Sequence, residues 1–123
     1  MKNISETFDN HVFVKIEKVT VDGEGPSNRM NMSSIFYNKF IAVFGGKNDS
    51  LPIEENKFKY NSFYLLNLNS LSWEILVIYG FTPSPRYGHC MNIFNNKIII
   101  WGGVTGNRFC STCVYELETS FIK

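Results

Sequence analysis

One segment of this 123-residue chain is written twice, and this internal repeat limits the possible folds more than any other feature. Residues 23–46, GEGPSNRMNMSSIFYNKFIAVFGG, align without gaps on residues 80–103, GFTPSPRYGHCMNIFNNKIIIWGG, at a constant offset of 57. Identical pairs include Gly23/Gly80, Pro26/Pro83, Ser27/Ser84, Arg29/Arg86, Asn38/Asn95, Gly45/Gly102 and Gly46/Gly103. A fixed period of this size indicates one supersecondary unit that buries its apolar face against a neighbouring copy.

Each unit has the pattern of four short antiparallel strands. The runs Phe40–Phe44 and Lys97–Trp101 are rich in β-branched and aromatic residues, and each ends in Gly-Gly. Asn38-Lys39 and Asn95-Asn96 precede these runs, where a hairpin turn is expected. Two more apolar stretches follow in the first unit, at 62–68 and 72–79. Repeats of about 50 residues with four strands are typical of propeller blades, so the sequence predicts an all-β, propeller-type fold.

Three further features resemble the kelch-repeat family. They are the run Pro83-Ser84-Pro85-Arg86-Tyr87-Gly88-His89, the Gly102-Gly103 pair, and the order Gly45-Gly46, Tyr64, Trp73. The resemblance covers roughly residues 12–123. It implies structural roles for a set of motif positions, namely Arg29, Gly45, Gly46, Tyr64, Trp73, Arg86, His89, Gly102 and Gly103. The outer positions depart from the pattern, since His89 is matched by Met32 and Trp73 by Ile16 and Ile122.

The repeat predicts four divisions of the chain. They are an N-terminal tail at 1–11, the last strand of a leading blade and a linker at 12–28, a complete blade at 29–79, and a second blade lacking its last strand at 80–123. Matching Leu66 to Tyr115 makes the segment after Gly46 eight residues longer than its counterpart after Gly103. Propellers close with about four to eight blades. We therefore expect further blades or self-association to complete the ring.

Composition argues against several classes of partner. The net charge is +1 without a basic stripe, so nucleic acid is not expected. No apolar run approaches the roughly 20 residues of a membrane span, and the N-terminus does not resemble a signal peptide. Three cysteines, an odd number, favour a reducing compartment. These features predict a cytoplasmic protein with protein partners, no membrane contact and no cofactor.

Two groups of residues suggest chemistry, but structural roles are favoured for both. Cys110 and Cys113 form a C-x-x-C pair with no second pair, and only Cys90, His89 and His11 could add metal ligands. We therefore predict structural cysteines and no metal site.

Arg86 lies near His89, but it has a counterpart in Arg29, and repeated residues serve blade packing. We expect each arginine to bond backbone carbonyls or an acid such as Glu17 or Glu74. No catalytic residue is predicted. The aromatic residues are likewise predicted to pack between blades; they are Phe36, Phe44, Tyr64, Trp73, Phe94 and Trp101.

Two loops after the Gly-Gly pairs, 47–61 and 104–112, are the candidate contact regions. The residues predicted to bind a partner are Leu51, Phe58, Lys59, Tyr60, Asn107 and Arg108. The longer loop is equally compatible with a disordered insertion. The sequence predicts a non-enzymatic protein–protein interaction scaffold or adaptor. The alternatives are a regulatory kelch segment at the N-terminus of a larger enzyme, such as a Ser/Thr phosphatase, and, less favoured, a copper-binding kelch-like oxidase.

Overall fold

The structure, a computed structural model, describes residues 7–8, 10–50, 62–78, 80, 82–105, 108–109 and 114–118. Within these ranges the chain is all-β, and it contains no helix long and apolar enough to cross a membrane. The strands are β1 (Thr7–Phe8), β2 (His11–Val12), β3 (Ser33–Tyr37), β4 (Phe40–Phe44), β5 (Phe63–Asn67), β6 (Ser72–Leu76), β7 (Cys90–Phe94), β8 (Lys97–Trp101), β9 (Val104–Thr105), β10 (Arg108–Phe109) and β11 (Val114–Glu118).

The strands form two blades and two small hairpins. The first blade is the antiparallel meander β3-β4-β5-β6, and the second blade holds β7, β8 and β11 in that spatial order. Strands β1 and β2 pair with each other, as do β9 and β10. The predicted hairpin turns are confirmed: Asn38, Asn95 and Asn96 take positive φ values of 55°, 48° and 60°. Asparagine tolerates this left-handed backbone better than most residues.

Strand register corrects one detail of the repeat alignment. Tyr64 pairs with Val43, and Tyr115 pairs with Ile100, the residue equivalent to Val43. Tyr64, rather than Leu66, is therefore the counterpart of Tyr115. The segment between Gly46 and the third strand is longer in the first blade by six residues, not eight. The sequence alignment was wrong here because an apolar strand without a landmark can slide by two residues and keep the same side chains on each face.

The segment before the first blade follows the outer edge of that blade. Residues 13–21 form no strand, and Asp22 then makes a parallel bridge to Ser72 at the start of β6. The amide of Asp22 donates to the carbonyl of Leu71, and the amide of Trp73 donates to the carbonyl of Asp22, both at 2.9 Å. The assignment of 12–28 to a leading blade stays a prediction.

The main core lies between the two blades. Its buried members are Phe40, Ala42, Phe44, Phe63 and Leu65 from the first blade and Met91, Ile98 and Ile100 from the second. In both blades these residues alternate along their strands, so each blade contributes one face to the junction.

Equivalent strands of the two blades bury opposite faces. Along β3, Ile35 is partly buried while Ser34 and Phe36 are exposed; along β7, Met91 is buried while Cys90 and Asn92 are exposed. Among the described residues, each blade packs against only one other blade, and the two blades use opposite faces for this contact. We call the uncovered face of the first blade the leading face (Met32, Ser34, Phe36) and that of the second blade the trailing face (Cys90, Asn92, Phe94, Trp101).

Of the six aromatic residues predicted to pack between blades, only Phe44 lies in the junction; Tyr64 and Trp73 pack against each other on the opposite face of the first blade. Phe44 is completely buried, but Phe36, Phe94 and Trp101 are exposed by 65%, 69% and 44%. Phe36 lies on the leading face, and Phe94 and Trp101 lie on the trailing face. Their exposure follows from the single neighbour of each blade, because the residues occupy packing positions that no other described residue covers.

Candidate functional site

The two motif arginines make the same three hydrogen bonds in their respective blades. Arg86 donates from Nη1 to the carbonyl of Gly102 (3.1 Å), from Nε to the carbonyl of Ser84 (3.2 Å) and from Nη2 to Ser84 Oγ (3.0 Å). Arg29 donates to the carbonyls of Gly45 (3.2 Å) and Ser27 (3.0 Å) and to Ser27 Oγ (3.3 Å). In each blade the planar guanidinium thus links the segment before the first strand (β3 or β7) to the Gly-Gly turn after the second strand (β4 or β8).

Each arginine also lies over a tyrosine ring of the third strand. The Arg86 Cζ atom is 5.1 Å from the ring centroid of Tyr115, and the Arg29 Cζ atom is 5.4 Å from that of Tyr64. Among the described residues, Arg86 has no carboxylate partner although only 1% of it is exposed. Backbone carbonyls and a ring face therefore compensate this buried charge. Of the two kinds of partner that the sequence suggested, the carbonyls are the ones used.

His89 projects from the second blade into the first. Its ring meets Phe44 edge to face, with 5.3 Å between centroids, and its Nε2 atom shares a 2.5 Å hydrogen bond with Ser33 Oγ. A Cβ atom on Gly45 would collide with the His89 ring and lie 2.6 Å from the carbonyl oxygen of Arg86. The absence of a side chain at Gly45 therefore leaves the space that the His89 ring occupies, and any side chain there would displace the ring.

Burial makes His89 a weak base. Burial, followed by the positive charge of Arg86, lowers the pKa of His89 from 6.5 to about 4, although the nearby Phe44 carbonyl opposes the shift. That carbonyl does not reach hydrogen-bonding geometry, since Nδ1 is buried without a partner in the described part of the chain. The imidazole is therefore neutral at pH 7.

The Ser33–His89 contact brings together the atoms of a nucleophile–base pair, yet its surroundings are unsuited to catalysis. No described carboxylate orients Nδ1, and His89 is 7% exposed between packed strands. A catalytic base needs a pKa near the working pH and access to its substrate. Sequence reasoning missed Ser33 because its repeat counterpart is Cys90, so no repeated pattern marks it.

Backbone bonds complete the junction. The amide of Gly46 donates to the carbonyl of Arg86 (2.8 Å), and the amide of Gly88 donates to the carbonyl of Asn31 (2.9 Å). Lys47 adds a contact that the sequence did not predict, with its Nζ atom 4.5 Å from the ring centroid of Tyr87. The two blades are thus joined by polar contacts near the Gly-Gly turn of the first blade as well as by the apolar core.

Trp73 anchors the segment that precedes the first blade. Its ring meets Tyr64 edge to face with 6.4 Å between centroids, and a Cβ atom on Gly25 would lie 2.6 Å from its Nε1. Tyr64 therefore supports Trp73, and Trp73 holds the segment around Gly25 against the first blade. The aromatic pair leaves only a glycine-sized space above the indole.

Most residues predicted to bind partners, and both cysteines of the C-x-x-C pair, lie outside the described part of the chain. These are Leu51, Phe58, Lys59, Tyr60, Asn107, Cys110 and Cys113, and of Arg108 only the backbone is described. Among the described residues, no group of three or more His, Cys, Asp or Glu side chains could hold a metal ion. Cys90 is a free, exposed thiol. His11 is exposed.

The bridges at the Gly-Gly turns show where the two predicted contact loops begin. Met30 pairs with Lys47, and Tyr87 pairs with Val104, in two antiparallel bridges at equivalent positions. The first residue of each loop, Lys47 or Val104, is thereby held next to the residue that precedes the first strand of its own blade, Met30 or Tyr87. Because the Gly46 amide bonds the Arg86 carbonyl of the next blade, and Lys47 lies over Tyr87, the two loops begin close together at the blade junction.

Comparison with known proteins fits this repeated architecture. Residues 7–121 match the KLHDC2/KLHL20/DRC7 Kelch-repeats domain. The chain belongs to the kelch-repeat family. The motif arginines, the Gly-Gly turns and the four-stranded first blade are thus features of a kelch protein, as the resemblance implied.

Several known proteins are similar over most of this chain. The Schizosaccharomyces pombe Tip elongation aberrant protein 1 is 38% identical over 81 residues, which are 66% of this chain and 7% of that protein. The Mus musculus Rab9 effector protein with kelch motifs is 32% identical over 91 residues, 72% of this chain and 23% of the relative. Rattus norvegicus Host cell factor 1 is 29% identical over an alignment of 114 residues that covers 83% of this chain and 6% of that protein. The chain spans less than a quarter of each relative.

Proposed function

We propose that this kelch chain is a protein-interaction module that works as a scaffold or adaptor in the cytoplasm. The observation that carries the proposal is the pair of loops that begin close together, at Lys47 and Val104, at the blade junction. Rigid elements that present variable loops are a common basis for recognition.

The polar groups of the junction support a role without chemistry. Arg86 donates its hydrogen bonds to two backbone carbonyls and the Ser84 hydroxyl, and His89 is neutral and enclosed. The relatives include a protein named as an effector of Rab9, and this name fits a binding function. The whole protein's partners and activity, including a role as the regulatory part of a larger enzyme, stay predictions.

The experiment is a comparison of loop variants in partner capture. The immobilised wild-type chain is incubated with an extract of its source cells, and the retained proteins are identified by mass spectrometry. F58A/Y60A and N107A/R108A are expected to lose the retained protein while the melting temperature is unchanged. V77A is the matched control, because Val77 is an exposed apolar residue in the connection between the blades. Unchanged retention by both loop variants would contradict the loop assignment.

A further inference from the structure

In the part of the chain that the structure describes, no blade covers the leading or the trailing face, although each corresponds to a packing face of the junction. Trp101 on the trailing face occupies the position of Phe44, which is completely buried by the second blade. Gly102 has the same φ of +76° as Gly45, but a Cβ atom on it would meet nothing within 4 Å in the described residues. The trailing face therefore has the geometry of a junction face that lacks its neighbour.

The two uncovered faces correspond to the two sides of the existing junction. The trailing face is the repeat equivalent of the first-blade face that the second blade covers. The leading face is the repeat equivalent of the second-blade face that does the covering, since Met32 and Phe36 match His89 and Ile93. One chain thus carries both sides of a blade-to-blade contact, one on each end.

The side chains that would meet across such a contact have changed together. In the existing junction, His89 bonds Ser33 and packs on Phe44. At the equivalent positions of the uncovered faces, methionine (Met32) replaces the histidine and cysteine (Cys90) replaces the serine. A polar pair has become a pair of sulfur-containing residues, so neither face would leave a buried polar partner unsatisfied.

The aromatic position supports the same pairing. Trp101 replaces Phe44, and methionine packs favourably against aromatic rings. Met32 of an incoming copy would therefore lie over Trp101 and beside the open space at Gly102. This is the arrangement that His89 has in the existing junction, where it lies over Phe44 and beside Gly45.

The backbone at the two ends is also suited to the contact. Asn31 has a φ of 56°, close to the 68° of its counterpart Gly88, so the leading end already has the backbone shape that the second blade uses. Gly103 is the counterpart of Gly46, whose amide bonds Arg86 across the junction. Within the described chain the Gly103 amide has no such bond, and an incoming copy would supply the carbonyl of its Arg29.

We infer that the trailing face binds the leading face of a second copy of this chain, head to tail. Such a heterologous contact uses different surfaces on the two partners, and it closes into a ring when the rotation between copies allows. Propellers hold about four to eight blades, so about two to four copies of the two described blades would supply enough blades for a closed ring.

One ion pair makes this contact weaker than the junction within the chain. Lys97 and Glu116 lie on the trailing face with 3.3 Å between Nζ and Oε1, where the first blade has the core residues Phe40 and Leu65. Covering these charges costs desolvation that the apolar pair does not. We therefore expect a reversible, concentration-dependent assembly.

The test blocks one face at a time. Sedimentation velocity of the wild-type chain over a wide concentration range is expected to show assembly. F36E blocks the leading face and W101E the trailing face, and each alone is expected to weaken assembly roughly tenfold or more. An equimolar mixture of the two variants is expected to form a one-to-one dimer through the two intact faces and to grow no further. V77E, a charge on an exposed apolar residue outside both faces, is the matched control.

A wild-type chain that stays monomeric at all concentrations would overturn the inference, and the faces would then belong to contacts with further blades of a longer chain. A mixture without heterodimers would overturn the head-to-tail arrangement. A disulfide test avoids any loss of folding caused by the charged variants. With Cys110 and Cys113 changed to serine, M32C is expected to form disulfide-linked dimers and larger chains with Cys90 under oxidation, whereas V77C forms none. Absence of cross-linking by M32C would also count against the contact.

Discussion

The ring of His89 occupies the space that a side chain on Gly45 would need. His89 belongs to the second blade and Gly45 to the first, so the two blades approach closely at this point. The glycine allows the approach, and the ring then reaches Ser33 and Phe44 behind it. The Gly-Gly turn of this kelch unit therefore serves the contact between blades as well as the end of a strand.

We predict that G45A destabilises the chain more than G102A does. Both glycines have a φ of +76°, so alanine brings a similar backbone strain of about 1–2 kcal/mol at either position. Only at Gly45 would the new Cβ atom also collide with His89 and the Arg86 carbonyl, adding roughly 1–3 kcal/mol. Urea denaturation at a chain concentration below any assembly gives both free energies of unfolding. Equal losses for the two variants would mean that the blades do not meet at Gly45.

Replacing either motif arginine by lysine tests the role of the guanidinium group. Lysine keeps the charge but cannot reproduce three hydrogen bonds in a fixed plane. We expect R86K to lower the free energy of unfolding by about 2–4 kcal/mol, because Arg86 is fully enclosed. R29K makes the same change at a more exposed position and is expected to cost about 1 kcal/mol. The reverse order would contradict the interpretation that burial sets the cost.

His89 is expected to make the stability of the chain depend on pH. Its pKa is lowered to about 4 in the folded chain against 6.5 for an ordinary histidine, so the unfolded chain binds the extra proton between these values. The stabilisation is fully present above about pH 6.5 and is lost as the pH falls towards 4. At about 1.4 kcal/mol for each pKa unit, the loss is on the order of 2–3 kcal/mol.

Denaturation midpoints between pH 7.5 and 4 measure this effect. H89Q removes the titrating group, and we expect it to flatten the part of the profile that lies between pH 6.5 and 4. H11Q removes the other, exposed histidine and is the control that keeps the wild-type profile. A wild-type slope in H89Q would assign the pH dependence to other groups.

Gly25 is expected to control how the preceding segment lies on Trp73. A Cβ atom at Gly25 would lie 2.6 to 2.8 Å from atoms of the indole ring, so G25A must push the segment or the ring aside. We expect a red shift of Trp73 emission in a W101F background, which removes the other tryptophan, and a loss of about 1–2 kcal/mol. E24A changes a neighbouring exposed residue and is the control; the same shift in that variant would argue against a contact at Gly25.

The strands of both blades could be predicted from sequence because local signals mark them. The runs Phe40–Phe44 and Lys97–Trp101 combine β-branched residues with asparagine turns before them and glycines after them, and the structure has strands at these bounds. Such signals depend on neighbours in sequence, so one chain is enough to read them.

The contacts between blades could not be predicted in the same way. Periodicity shows which face Trp101 shares with its neighbours, but it does not show whether another blade covers that face. The Ser33–His89 bond and the contact of Lys47 with Tyr87 join residues without repeated counterparts of the same type. Pairings of this kind arise from tertiary structure, and a pattern within one unit has no signal for them.

The meander order of the first blade has a consequence for how the chain acquires its structure. Strands β3, β4, β5 and β6 pair only with the next strand along the chain, so closing this sheet requires only short loops and the segment between β4 and β5. Local pairing of this kind speeds folding, whereas contacts between distant residues come later. The first blade can therefore form during synthesis and act as the template on which the second blade docks through His89.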